Sequence, residues 1–126
     1  MNKAVLDSSA ILAIFLQEKG SEIVKTFLND AKMSSVNVAE TFSKLAEKGL
    51  LTDSISEDFP QLGIEIVDFD FEQALKVGEL RPLTRHLGLS LGDRSCLGLA
   101  ILHDATAVTA DRNWKQLSLC PIELIR

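Results

Sequence analysis

Residues 3–17 read KAVLDSSAILAIFLQ, in which a short apolar run ends at Asp7 and a longer apolar segment follows two serines. Residues 3–6 predict a β-strand, with Val5 as a β-branched member. Residues 9–17 remain apolar for longer than a typical strand, which predicts a buried helix. Asp7 therefore stands between a strand and a helix, where a carboxylate is suited equally to capping the helix and to forming part of a site.

The same order of strand and helix continues along the chain. Further strands are predicted at residues 33–36, 64–69, 105–109 and 121–125. Further helices are predicted at residues 21–31, 37–48, 52–59, 70–80 and 90–103, with Arg81-Pro82 ending the fifth helix of the chain. Alternation of this kind predicts an α/β fold, a three-layer sandwich in which helices cover both faces of a mostly parallel sheet.

Size and composition fit one globular domain over residues 1–126, with 46% apolar and 25% charged residues. No stretch reaches the roughly 18–20 apolar residues of a membrane span, and Asp7 interrupts any signal-peptide core. We therefore expect a cytoplasmic protein with no membrane partner.

Cys96 and Cys120 form no CxxC pair, and His86 and His103 lack zinc-finger spacing. Two reduced, buried thiols are expected rather than a zinc site.

Four acidic residues fall where a predicted strand ends or a predicted helix begins. Asp7 and Asp111 follow strands, and Glu40 and Asp93 lie in the expected first turns of helices that Asn37 and Ser90 would open. In open parallel sheets, ligands bind outside the carboxyl ends of the strands. These four carboxylates are therefore expected to converge on one place.

Each acid also has a purely structural interpretation. Asp7 and Asp111 would serve as N-caps, and Asn37 with Glu40 matches a capping box. Glu40 and Lys44 are spaced as a helical ion pair. Taken together, however, three or four carboxylates in one pocket repel one another unless a cation is present. An all-oxygen donor set of this kind suits Mg²⁺ or Mn²⁺.

The arrangement resembles the PIN domain family, and more particularly the VapC-type toxins of type II toxin–antitoxin pairs. The matching segments are VLDSSAILAIFLQE at 5–18, SSVNVAETFSKL at 34–45, LGLSLGDRSCLGLAILHDATAVTADRNW at 87–114 and PIELI at 121–125. The resemblance implies a Mg²⁺- or Mn²⁺-dependent endoribonuclease in which a metal-activated water attacks a phosphodiester. It places Asp7, Glu40, Asp93 and Asp111 on the family's acidic quartet, as catalytic residues and metal ligands.

The resemblance also implies supporting residues and partners. Ser9 falls on a small hydroxyl residue that supports the first aspartate, and Thr109 falls on the threonine of the last motif. Asn113 stands where the family often carries a further acid, so we expect it to orient ligands without adding charge. The implied partners are an RNA substrate, a cognate antitoxin and a second copy in a homodimer. Residues 50–63 match only loosely, and no role is assigned to them.

The net charge of −5 is unusual for a protein that binds nucleic acid. Divalent cations would offset the quartet, and Lys44, Arg94 and Arg112 lie close to its members in sequence. These three cations are expected either to contact RNA or to lie on solvated surface.

The apolar residues of the first predicted helix have two interpretations. Ile11, Ile14 and Phe15 are expected in the core. The alternative is contact with a dimer partner or an antitoxin helix.

Three other functions are considered. A receiver-like signalling domain would need an acidic cluster after the first strand and a lysine after the last, whereas Asp7 stands alone. A haloacid-dehalogenase-type phosphatase would need an acid two residues after Asp7, where Ser9 is found. A PIN domain retained only as an RNA- or protein-binding module is the third alternative.

Overall fold

The computed structural model describes residues 3–126. The strands are β1 Ala4–Leu6, β2 Ala31–Ser34, β3 Glu65–Val67, β4 Thr106–Thr109 and β5 Ile122–Leu124. The helices are α1 Ser8–Phe15, α2 Ser21–Lys25, α3 Ser35–Glu47, α4 Asp53–Asp58, α5 Phe71–Thr84 and α6 Leu91–Leu102. Short 3₁₀ turns cover Leu28–Asp30, Phe59–Leu62, Arg85–Leu87 and Arg112–Gln116.

The strands form one parallel sheet in the order β3-β2-β1-β4-β5. From β1 the chain builds outward through β2 to β3, and it then crosses to place β4 on the other side of β1. Ala4 pairs with Thr106, and Leu6 pairs with Val108. The carboxyl ends of β1 and β4 therefore lie side by side at the point where the direction of winding changes, which is where open α/β sheets bind ligands.

Alternate residues of β1 point to opposite faces of the sheet, so each face has its own core. Leu6 packs with Ile11 of α1 and Val38 of α3 in one cluster. Val5 packs in the other cluster with side chains such as Leu80 of α5 and Leu97 of α6. Helices thus cover both faces, which confirms the predicted three-layer α/β/α fold.

The start of α3 differs from the sequence prediction. The helix begins at Ser35, and the Ser34 hydroxyl accepts a hydrogen bond of 3.2 Å from the Val36 N–H. Asn37 is therefore inside the helix, and Glu40 lies in the second turn. The interpretation of Asn37 and Glu40 as a capping box is wrong, because the strand β2 ends two residues earlier than predicted and Ser34 takes the capping position.

The end of α5 is also later than predicted, because the helix continues through Pro82 to Thr84. Leu80 and Thr84 are buried, and the Thr84 hydroxyl donates to the Leu80 carbonyl at 2.8 Å. Packing of this last turn outweighs the helix-breaking tendency of the proline.

The predicted helix at residues 21–31 is likewise divided. It forms the short helix α2 and the 3₁₀ turn at Leu28–Asp30.

Candidate functional site

Asp7 is buried at the carboxyl end of β1, with only 4% of its surface exposed. It occupies the N-cap position of α1, yet its side chain makes no capping hydrogen bond. Its Oδ2 instead accepts hydrogen bonds from the Ser9 hydroxyl at 2.7 Å and the Thr109 hydroxyl at 3.0 Å. Its Oδ1 is buried without any hydrogen-bond partner. The capping interpretation therefore does not account for this carboxylate.

The surroundings of Asp7 favour its protonated form. The pKa of Asp7 is raised to about 6, chiefly by burial. The hydrogen bonds from Ser9 and Thr109 lower this pKa, and the negative charges of Asp93 and Glu40 raise it. Repulsion from Asp93 and Glu40 shows that both carboxylates lie within electrostatic range of Asp7. Positive charge at this position would stabilise the ionised form of Asp7.

The hydroxyls of Ser9 and Thr109 join the ends of the two central strands. Besides donating to Asp7, the Ser9 Oγ accepts the Ala110 N–H at 2.9 Å, and the Thr109 Oγ1 accepts the Asp111 N–H at 3.0 Å. Each hydroxyl thus uses its proton on the Asp7 carboxylate and a lone pair on the backbone after β4. The two residues hold the segment that carries Asp111 beside Asp7.

Asp111 lies at this same edge of the sheet and begins the 3₁₀ turn Arg112–Gln116. Its Oδ1 accepts the backbone N–H of Asn113 at 3.0 Å, so the predicted capping role is observed. The Asn113 side chain is exposed, and its contact with Asp111 uses the backbone alone. The structure thus places Asn113 next to Asp111 without giving its amide a partner there.

Glu40 and Asp93 come from two helices that meet. A capping box begins α6: the Ser90 N–H donates to Asp93 Oδ2 at 2.9 Å, and the Asp93 N–H donates to Ser90 Oγ at 3.1 Å. The Glu40 carboxylate lies against Gly92, the residue before Asp93, where an added methyl group would be 2.7 Å from Glu40 Oε2. Glu40 and the first turn of α6 are therefore in direct contact.

The four acids do not form a complete metal cage. Across residues 3–126, no three Asp, Glu, His or Cys side chains are grouped closely enough to hold a metal ion as they stand. The chemistry of the donors nevertheless fits a hard divalent cation, because all are carboxylates and one buried oxygen, Asp7 Oδ1, has no donor. Glu40, Asp93 and Asp111 are part-exposed, whereas Asp7 is buried.

The three predicted RNA contacts have different surroundings. Lys44 is exposed and, with Lys48 and Arg126, lines a cavity of about 310 Å³ that reaches Ser9. Arg94 is partly buried and donates to the Val77 carbonyl at 3.1 Å, which connects α6 to α5.

Arg112 is exposed and donates to the Arg126 carbonyl at 3.1 Å. In the described part of the chain, Glu40 and Lys44 form no ion pair.

Two contacting residues and two cations near the site were missed by sequence reasoning. Asn37 and Gly92 contact each other from different helices, and Lys48 and Arg126 line the cavity together with the acidic Glu18 and Glu47. The only sequence signals were the polar Asn37 on an apolar helix face and the glycine before Asp93. Neither indicates a contact across 55 residues of chain.

The apolar and cysteine residues singled out from the sequence have structural roles. Ile11 is fully buried, and Ile14 and Phe15 pack against its cluster, as the core interpretation predicted. Both cysteines are free, and burial raises the pKa of each thiol. Cys96 is fully buried whereas Cys120 is only partly so. None of the described helices is long and apolar enough to cross a membrane.

Comparison with known proteins identifies the family. The sequence profile of the PIN domain matches residues 4–118. The chain belongs to the PIN domain family. A search of curated proteins gives no match to this PIN domain.

Solved structures share the fold of this PIN domain over nearly its whole length. DNA-bound VapBC from Salmonella typhimurium has a TM-score of 0.76 and 23% identity, with 100% of both chains covered. FitAcB from Neisseria gonorrhoeae has a TM-score of 0.74 and 21% identity, with 97% of both chains covered. VapBC2 from Rickettsia felis, bound to a promoter DNA fragment, has a TM-score of 0.72 and 22% identity, with 95% of this chain and 96% of that chain covered.

Proposed function

We propose that this PIN domain is a VapC-type toxin that cleaves RNA as a Mg²⁺- or Mn²⁺-dependent endoribonuclease. The observation that carries the proposal is the buried Asp7 carboxylate, whose Oδ1 has no hydrogen-bond partner and which lies within electrostatic range of Glu40 and Asp93. A buried carboxylate with an unsatisfied oxygen is costly for a folded protein, and a bound cation would remove that cost.

Each acid has a distinct position in the proposed mechanism. Asp7, Glu40 and Asp93 would hold the ion, and Asp111 would complete the site from the segment after β4. When bound, a divalent ion supplies an activated water and positive charge for the phosphate oxygens. The Ser9 and Thr109 hydroxyls keep Asp7 Oδ2 in place, so that Oδ1 is the oxygen available to the ion. Asn113, exposed beside Asp111, would orient ligands from the outer side of the site.

The cations would approach the RNA backbone. Lys44 beside the cavity and Arg112 are the better placed of the predicted contacts, because both are exposed whereas Arg94 is partly buried against α5. The net charge of −5 fits recognition of a structured RNA by shape and loops rather than broad electrostatic binding.

The names of the structural neighbours support the toxin assignment, since two of them are VapBC structures and VapBC is named as a family of toxin–antitoxin systems. We propose by analogy a cognate antitoxin as partner, a homodimer as the assembled form and the cytoplasm as the location.

The receiver-like alternative is disfavoured by the strand order. Receiver domains have the order 2-1-3-4-5, with the third strand beside the first. Here β3 is at the edge of the sheet, separated from β1 by β2. An aspartate after β3 would therefore lie away from Asp7.

The test is cleavage of labelled RNA by the purified protein with Mg²⁺ or Mn²⁺, comparing wild type with Asp7→Asn. Asp58→Asn is the matched control, because it removes the same charge from an exposed side chain on α4. We expect Asp7→Asn alone to abolish cleavage while remaining folded. Full activity of folded Asp7→Asn would contradict the proposed site, and metal-independent RNA binding without cleavage by wild type would favour the non-catalytic binding module.

A further inference from the structure

Asn37 makes two polar contacts that connect α3 with α6. Its side chain is fully buried, and its Nδ2 donates to the Gly92 carbonyl at 2.9 Å and approaches Glu40 Oε1 at 3.4 Å. Both contacted atoms are acceptors, which fixes the orientation of the amide. Its Oδ1 is left buried without a partner.

Gly92 supplies the other half of this contact. A methyl group at Gly92 would lie 2.7 Å from Glu40 Oε2 and 3.0 Å from Glu40 Cδ, so any larger residue would displace the carboxylate. Gly92 itself is buried in the first turn of α6. The glycine therefore leaves room for the Glu40 carboxylate in its observed position.

The hydrogen bond from Asn37 to Gly92 links the turn that carries Glu40 to the turn that carries Asp93. Asn37 and Glu40 are one helical turn apart on α3, and the Gly92 carbonyl belongs to the peptide that continues into Asp93. A bond from Asn37 to this peptide consequently sets the distance between the turn that carries Glu40 and the turn that carries Asp93.

We propose that Asn37 and Gly92 are positioning residues that hold Glu40 and Asp93 at the separation needed for a shared divalent cation. Like charges on the two helices push them apart when no cation is present. The bond between Asn37 and Gly92 opposes that separation, so the ligands need less rearrangement when the ion binds. The inference rests on the proposed function.

Gln73 offers a matched control on α5. It is also a buried amide, its Nε2 donates to the Asp68 carbonyl at 2.7 Å, and its Oε1 also has no partner. Its hydrogen bonds reach Asp68 and Asp70 and none of the four acids. Loss of a buried amide is therefore shared by Asn37→Leu and Gln73→Met, whereas loss of contact with Glu40 is confined to the first.

The experiment measures Mn²⁺ binding by electron paramagnetic resonance of free Mn²⁺, together with the thermal midpoint, on the full chain. We expect both variants to lower the midpoint. Asn37→Leu should raise the Mn²⁺ dissociation constant about tenfold or more, as is typical when a group supporting a metal ligand is lost. Gln73→Met should leave that constant within about twofold.

Gly92→Ala provides a second route, because it displaces Glu40 while leaving the Asn37 side chain intact. Gly92→Ala should also weaken Mn²⁺ binding. In the double variant with Asn37→Leu, the Mn²⁺ dissociation constant should rise by less than the product of the two single-variant increases, since both substitutions act on Glu40. Unchanged Mn²⁺ affinity in folded Asn37→Leu, or in Gly92→Ala if the first does not fold, would overturn the inference. A wild-type chain that binds no Mn²⁺ and cleaves no RNA would instead overturn the proposed function.

Discussion

Replacing Asp7 by asparagine should change how the stability of the protein depends on pH. The pKa of Asp7 is about 6 in the folded protein and 3.8 when the side chain is free in water. Between these values the folded state binds more protons than the unfolded state, so wild-type stability falls as the pH rises. A shift of about two pH units corresponds to about 3 kcal/mol at pH values above the folded pKa.

The variant lacks this titration but carries a cost of its own. Asparagine can accept the hydrogen bonds from Ser9 and Thr109 through its oxygen, whereas its NH₂ group would take the place of the unpartnered Asp7 Oδ1. That burial costs about 1–3 kcal/mol at every pH. The informative quantity is therefore the free energy of unfolding of the variant minus that of the wild type at each pH. This difference should rise by about 2 kcal/mol from about pH 4 to pH 7.

Urea unfolding at a series of pH values in EDTA measures this difference. Trp114, the only tryptophan, is fully buried and reports unfolding by fluorescence. The exposed Asp58→Asn should give a difference that changes little with pH. A flat profile for Asp7→Asn would refute the conclusion that burial raises the pKa of Asp7. Saturating Mg²⁺ should reduce the rise, because a nearby cation favours the ionised carboxylate.

Five further variants test other parts of the structure. Thr109→Val leaves a backbone N–H without its acceptor and should lower the free energy of unfolding by about 1–3 kcal/mol, whereas Thr109→Ser should retain most of it; equal losses would contradict the role of the hydroxyl. Arg94→Met should lower the thermal midpoint and leave RNA binding in fluorescence anisotropy unchanged. Lys44→Ala should weaken RNA binding and leave the thermal midpoint unchanged. Weaker RNA binding by Arg94→Met but not by Lys44→Ala would contradict the proposed RNA contacts. Gly20→Ala should be strongly destabilising in thermal unfolding, because Gly20 has a φ of +99° and an added methyl group would collide with the Ile125 carbonyl oxygen; an unchanged midpoint would disprove that collision.

The fold could be predicted because strand and helix signals alternate along the sequence. Asp7 and Asp111 were placed correctly at the ends of strands, since a parallel sheet brings those ends to one edge. The boundaries were less predictable. The start of α3 was assigned to Asn37 because two polar residues near a helix start resemble a cap, and the burial of Asn37 could not be read from its neighbours in sequence.

The site itself depends on contacts between distant residues. The hydroxyls around Asp7 come from positions 2 and 102 residues away, and only the folded sheet brings the second of them close. The contact of Asn37 with Gly92 likewise depends on how α3 packs against α6. Single-sequence patterns describe local periodicity and turns, whereas these distances are set by tertiary packing.

The pairing of β1 with β4 has a consequence for synthesis of the protein. The Asp7 carboxylate and the Thr109 hydroxyl are separated by 102 residues, so their contact closes a loop of most of the chain. Ribosomes add roughly 5–20 residues per second, and long-range strand pairs form late. A nascent chain that ends before β4 lacks both Thr109 and Asp111, so it cannot assemble the acidic site. If the proposed function holds, the ribosome that makes this protein therefore meets no complete acidic site until β4 and Asp111 have been synthesised.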